Sequence, residues 1–431
     1  MRKHVGMARF LLAAMPFTGH VIPMLAVAEA LLGRAHSVRV YTGSAFRDRV
    51  EASGAVFVPW RNAPDFDEND LTKTFPRLIG KKGVRQVMIN LTDAFIGTAP
   101  AQVTDLLAAW DDEPWDALVT DDTSCGGAFT AEKTDAPWAT VAILPLNLPS
   151  RHGPPSGLGI TPGRGPLGQA RDALLRGIRP LLATPLRKPL ARARAEAGLP
   201  PSKAIFDQVM FSPQLILASG APLLDYERPD RPPHLEFIGR LAATPRKDAL
   251  PDWWPDLRDR TVVHVTQGTQ NLDPSDLIRP TIEALADRDV LVVVATGRRG
   301  VDELPFAVPS NVRVSGFLPY DALLSHVDAI VTNGGWGGTL AALAHGIPLV
   351  IGGGDLDKPE IAARVAWSGA GVNLKTGTPT AAAIAEAVDR VLREREFPDA
   401  AARVAAQLEA AGGAQRGAER LEELAGAASA F

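Results

Sequence analysis

The chain alternates short apolar runs with helix-length segments, and it does so twice. In the first half "ARFLLAAM", "SVRVYTG", "AVFVPW", "DALVTD" and "WATVAIL" read as strands, with stretches such as "VIPMLAVAEALLGR" as helices between them. The pattern restarts with "TVVHVTQG", "VLVVVATG", "VRVSGFL", "AIVTNGG" and "PLVIGGG". Strands alternating with helices of this length demand parallel sheets covered by helices on both faces. At 431 residues the chain exceeds what one hydrophobic core usually serves. The expected architecture is therefore α/β, with two doubly wound Rossmann-like domains facing each other across a cleft.

The expected boundaries are an N-terminal domain over residues 1–225 and a C-terminal domain over 259–405. A Pro- and charge-rich linker region covers 226–258, and a helical tail over 406–431 is expected to pack back toward the first domain. Residues 147–179, dense in Pro and Gly, read as a long mobile loop, with a second irregular stretch at 61–80. Helices are expected from Lys358 to the end.

A net charge of −4 offers no electrostatic attraction for nucleic acid or an anionic membrane, and no run is apolar enough to span a bilayer. Cys125, standing alone, excludes an intrachain disulfide and a multi-cysteine zinc site. The basic start "MRKHVGMARFLLAAMPF" breaks at Pro16, so residues 8–15 read as a buried strand and not a signal sequence. The expected location is the cytoplasm. A homodimer is carried as an expectation.

In an open parallel sheet, ligands bind beyond the carboxyl ends of strands, where the strand order reverses. The first strand runs into "MPFTGH", delivering His20 at a helix start, and "DALVTD" delivers Asp121 to the same crevice mouth. The positive end of the helix dipole favours a neutral imidazole, which a general base must be, and Asp121 would orient it. Alternatively, His20 caps the helix and Asp121 merely ends a strand.

In the second half "VTNGGWGGTLAALAHG" places dense glycine between a strand and a helix, and "VTQGTQN" repeats that arrangement earlier. Two such turns would cradle a diphosphate, while tight helix–strand packing selects glycine too. The dinucleotide fingerprint G-x-G-x-x-G is absent from the first turn, "PFTGHVIP". Asp355-Leu-Asp357 has the letters of a Mg²⁺-binding D-x-D or of a charged helix start.

Over essentially its whole length the chain resembles the inverting family 1 glycosyltransferases of GT-B fold, especially bacterial enzymes that glycosylate natural products. The resemblance rests on Gly19-His20-x-x-Pro23 and on residues 311–375, which have the layout of that family's donor signature. It implies transfer of a sugar from a dTDP- or UDP-sugar to a hydroxyl of a lipophilic acceptor, with no metal and no cofactor beyond the nucleotide sugar as co-substrate. It makes His20 the catalytic base and Asp121 its partner. Thr18, Gly19, Gly268 and Thr269 join the donor site, and Asn333, Gly334, Gly335, Trp336, Gly337, Gly338 and Thr339 form its diphosphate turn. Phe317 would stack on the base, the Leu318 backbone would hydrogen-bond it, and Asp357 and Lys358 would read sugar hydroxyls. Residues 61–98 and 147–180 would wall the acceptor.

Three departures stand out. Asn333 replaces the family's usual His, and Gly338 its Ser or Thr, with Thr339 a candidate to supply the lost hydroxyl. Lys358 replaces a Gln, whose paired donor and acceptor it cannot imitate. Ala341 replaces a glutamate that grips ribose hydroxyls, which leans the reading toward dTDP. Other readings are a catalytically degenerate GT-B nucleotide-binding or partner-activating protein, and a GT-B sugar-nucleotide epimerase. Retention of His20 and Asp121 argues against both.

Overall fold

The computed structural model describes residues 6–81, 83–244, 249–268, 273–298 and 300–428. Seven strands form the first sheet: β1 (Arg9–Ala13), β2 (Ser37–Thr42), β3 (Val56–Pro59), β4 (Ala117–Asp121), β5 (Trp138–Ala142), β6 (Leu215–Ser219) and β7 (Leu235–Gly239). Six form the second: β8 (Val262–Thr266), β9 (Leu291–Ala295), β10 (Val312–Ser315), β11 (Ala329–Thr332), β12 (Leu349–Ile351) and β13 (Gly371–Asn373). Their orders are β3-β2-β1-β4-β5-β6-β7 and β10-β9-β8-β11-β12-β13, and pairing within both sheets is parallel. The order reverses between β1 and β4 and between β8 and β11, which opens a crevice at each place.

Burial on both faces explains why the strands are almost wholly apolar. In β1, Phe10 and Leu12 enter one core with Val40 and Val119, while Leu11 and Ala13 enter the opposite core with Leu118 and Trp115. The helix Gly413–Ala428 covers the first of these cores, burying Ala418 and Leu421. It is fastened there by Glu422, which accepts from Arg34 Nε at 2.6 Å and lies 2.7 Å from His36 Nε2.

The structure departs from the sequence reading at four places. "LILAS", "LEFIG" and "GVN" are the strands β6, β7 and β13, too short or too isolated to stand out. Because β7 pairs with β6, the first domain reaches into the stretch 226–258 read as linker. The segment from Gly165 to Leu182 is a helix and not part of a mobile loop, since Pro and Gly cluster ahead of it. Its Asp172 is buried and accepts the Gly163 N–H at 2.8 Å, tying the loop to the helix.

A tryptophan and a buried charge network join the domains. The Trp336 indole is buried and its Nε1–H donates to Ser219 Oγ, 2.9 Å away at the end of β6. Gly220 makes room for it: its φ is +102°, and a Cβ there would lie 2.9 Å from the Trp336 ring. Arg364, 1% exposed on the helix Lys358–Ser368, donates to Asp225 Oδ1 at 2.6 Å, Glu360 Oε1 at 2.9 Å and the Leu146 carbonyl at 2.8 Å. Arg228 meets Asp225 from the other side at 3.0 Å and donates to Ser156 Oγ at 2.7 Å. Glu360 Oε2 accepts the N–H groups of Gly157 and Gly159 at 3.0 and 2.9 Å.

Buried charges survive only when paired, so removing one partner is expensive. Arg364→Met is expected to destabilise the protein by about 3 kcal/mol, the lower end for breaking a buried pair. Arg228 would still face Asp225, and two amides would still face Glu360. Denaturant unfolding checks this, and Lys at 364 should recover part of the loss.

Candidate active site

Beyond β1 the chain turns through Met15-Pro16-Phe17 into the helix Thr18–Leu32, so His20 stands in its first turn. β4 ends at Asp121, directly beside β1. The Asp121 carboxylate has no solvent exposure and is fully engaged. Oδ2 accepts the Met15 N–H at 2.7 Å and lies 3.2 Å from His20 Nδ1. Oδ1 accepts both the Thr123 N–H and its hydroxyl at 2.7 Å. Thr123 Oγ1 also lies 3.1 Å from His20 Nδ1. An ionised carboxylate only accepts, so Nδ1 carries the proton and Nε2 keeps a lone pair.

The electrostatics favour a responsive histidine. Burial works to lower the His20 pKa, but the charge and hydrogen bond of Asp121, joined by the charges of Asp122 and Asp357, outweigh it and raise the value. This outcome overrides the helix-dipole effect expected from sequence. Burial likewise opposes the Asp121 charge, yet His20, Thr123 and the Met15 amide hold it below the ordinary carboxylate value. Asp122, buried next to that charge, is pushed up to about 7. Asp357 belongs to the second domain, so a charge from across the domain boundary contributes to the raised His20 pKa.

Aromatic rings surround His20. Phe17 and Phe95 lie 5.4 and 6.3 Å from the His20 ring, and Phe66 lies 5.1 Å from Phe17. Phe95 comes from a π-helical turn, Asn90–Ile96, a distortion often found at functional sites. Gly19 is exposed beside them, whereas Thr18 is occupied: its N–H and hydroxyl both donate to Glu68.

On the second domain, the helix Trp336–Ala344 starts at the turn after β11. Gly335, Gly337 and Gly338 are exposed there, where the first turn of a helix leaves amides without intrahelical partners. Gly334 is buried with φ +88°, and a Cβ would sit 2.7 Å from Ile351 Cγ2, so only glycine fits. Asn333 is buried, and its Nδ2 donates to the Gln267 carbonyl, fastening the turn at Gly268 to the turn at Gly334. Gln267 in turn accepts the Leu277 and Ile278 amides at 3.1 and 2.8 Å. Thr269 lies outside the described residues.

Other candidates are placed differently from their expected use. The Trp336 side chain points into the domain interface, leaving only its backbone to the turn. Thr339 is fully buried with its hydroxyl unpartnered, so it does not stand in at the surface for the hydroxyl missing at Gly338. Lys358 Nζ pairs with Asp355 at 3.0 Å, which leaves Asp357 as the helix N-cap residue facing His20. Phe317 is half-exposed after β10, and Leu318 is buried in the adjoining core. Sequence reasoning missed Thr123, Asp122, Phe17 and Phe95. The run "TDDTS" after β4 marks the first two, since polar residues that dense beside a buried strand end need partners.

A family model described as Erythromycin biosynthesis protein CIII-like, C-terminal domain, matches residues 279–424. The 4'-demethylrebeccamycin synthase of Lentzea aerocolonigenes is 43% identical over 401 residues, spanning 92% of this chain and 94% of its own. UDP-glycosyltransferase 2 of Phaeomoniella chlamydospora is 34% identical over 439 residues, spanning 97% and 96%. Among solved structures, the glycotransferase of kitacinnamycin superposes with a TM-score of 0.73 at 21% identity, covering 97% of this chain and 99% of that one. CalG4, the calicheamicin glycosyltransferase, superposes with a TM-score of 0.73 at 22% identity, covering 99% of each. These two likenesses speak for the fold. With the relatives and two facing parallel-sheet domains, the chain belongs to the family 1 glycosyltransferases of GT-B fold, in their bacterial natural-product group, and is a nucleotide-sugar-dependent glycosyltransferase.

Proposed function

We propose that this glycosyltransferase transfers its sugar to a hydroxyl of a natural-product aglycone in one in-line displacement, with His20 as the general base. The observation that carries the reading is the buried Asp121–His20 pair, with Nδ1 engaged and Nε2 left to take a proton. The acceptor O–H proton passes to Nε2 and the oxygen attacks the anomeric carbon. The bond to the diphosphate breaks from the opposite face, so the configuration inverts. Asp121 stabilises the imidazolium. The amides at the start of the helix Trp336–Ala344 receive charge growing on the leaving diphosphate, so the reading assigns no metal. Phe17, Phe66 and Phe95 beside the base suit a flat lipophilic acceptor. A 43% identical relative whose name records a rebeccamycin-type product supports that acceptor class.

On the donor side, Asp357 reads the sugar and Phe317 stacks on the base. Two features pull the nucleotide in different directions. Ala341 is buried and offers no carboxylate to a ribose 2'-hydroxyl, which favours dTDP, whereas a 34% identical relative is named a UDP-glycosyltransferase. Isothermal titration with both diphosphates decides it, with tighter dTDP binding expected. The protein acts in the cytoplasm on this reading, and a homodimer is compatible with it.

His20→Ala is expected to cut transfer at least about 10²-fold, the lower end for losing a general base. Turnover near the wild-type rate, measured by mass spectrometry of the product, overturns the assignment. The raised His20 pKa sets the pH profile as well. Only the neutral imidazole accepts a proton, so kcat/KM should fall as pH drops through a value above 6.5. Asp121→Asn removes the main charge that raises it, so the acid limb should move to lower pH while the rate falls.

A further inference from the structure

The donor turn lacks a side-chain hydroxyl. Gly335, Gly337 and Gly338 have none, Thr339 is buried, and Asn333 is committed to Gln267. A hydroxyl nevertheless reaches this place from a different element. The phenol oxygen of Tyr320 lies 3.9 Å from where a Cβ on Gly338 would be, and among the described residues no other atom from outside the adjoining backbone comes within 4 Å of that point. Tyr320 opens the short helix Tyr320–Leu324, three residues after Phe317. Its oxygen has no hydrogen-bond partner among the described residues, although the ring is firmly held.

The holding is specific. The ring packs on the core of the second domain and meets the His264 imidazole edge-on, with centroids 5.5 Å apart. His264 sits on β8, fully buried, with Nδ1 against the Val293 carbonyl at 2.9 Å and Nε2 unpartnered. The next residue, Asp321, is paired with Arg240 of the first domain at 2.7 Å. These contacts fix the direction of the phenol toward the exposed first turn of the helix Trp336–Ala344. Burial also pushes the Tyr320 pKa up, so the group remains a donor throughout the working pH range.

We propose that Tyr320 is a donor-binding residue: its hydroxyl hydrogen-bonds the diphosphate of the nucleotide sugar, filling the role that a hydroxyl on residue 338 would play. This rests on the reading of the 333–339 turn as the diphosphate site. The distance matters here, because a Cβ at 338 would stand in ordinary van der Waals contact with the phenol oxygen, so a hydroxyl on residue 338 and that of Tyr320 reach the same neighbourhood. With glycine at 338, the hydroxyl is supplied across the turn.

The test uses the full-length protein and titrates UDP and dTDP calorimetrically into wild type, Tyr320→Phe and Tyr320→Phe/Gly338→Ser. Phenylalanine preserves the ring contacts, so thermal unfolding should be unchanged. A hydrogen bond to a charged group typically contributes enough that its loss weakens binding about tenfold. Tyr320→Phe should therefore raise the Kd of the better-bound diphosphate about tenfold and raise the donor KM, with the acceptor KM unaltered. Serine at 338 should restore most of the loss, which a purely structural role for Tyr320 would not permit. Wild-type binding with an equally tight Tyr320→Phe variant overturns this inference alone. A wild type that binds neither diphosphate overturns the donor-site reading and this inference with it.

Discussion

The Arg364 guanidinium holds the two halves of this enzyme in register. Each domain alone offers half of the candidate site: a buried histidine–aspartate pair on one side, exposed glycines at a helix start on the other. The proposed reaction needs them at a fixed separation, and surface complementarity between two domains is usually too weak to guarantee that. Here a cation almost without solvent contact bridges a carboxylate and a carbonyl of the first domain and a carboxylate of its own helix. Because that helix begins at Lys358, directly after Asp357, the same bonds that join the domains also hold the carboxylate whose charge helps to raise His20. Glu360 extends the arrangement to Gly157 and Gly159, so the loop ahead of the helix Gly165–Leu182 is tied to the start of the helix Lys358–Ser368.

Around His20, charge prevails over burial. A histidine placed in a helix's first turn and shielded from water is expected to resist protonation on both counts. Three carboxylates reverse that balance, two from the end of β4 and its following residue and one from across the cleft. The imidazolium form of His20 is thereby stabilised. Asp122 is itself pushed up to about 7 by burial and by the neighbouring Asp121 charge.

The fold was largely legible because parallel sheets leave a strong trace. Val262 to Val265 and Leu291 to Val294 are buried on both faces and read as continuous apolar runs. Where the trace is short it fails: β13 has three residues, and β7 hides between prolines and charges. The meeting of His20 and Asp121 was legible too, since strand ends at an order reversal converge by topology alone. Side-chain direction was not. Trp336 lies in the middle of a glycine turn that suggests a ligand, yet its indole turns toward Ser219, where Gly220 has vacated the space. Asn333, an apparent anomaly among phosphate-binding residues, binds the neighbouring turn, a relation between residues far apart in sequence that no local pattern encodes.

The helix Gly413–Ala428 covers the first domain although every strand of the second lies between them in sequence. The apolar face formed by Val21, Leu25 and their neighbours packs against Ala418 and Leu421, which follow the strands Val262 to Asn373 along the chain. The first domain is therefore discontinuous in sequence, with the second inserted between its strands and its covering helix. Removing that helix would accordingly uncover the core of the domain that lies farthest from it in sequence.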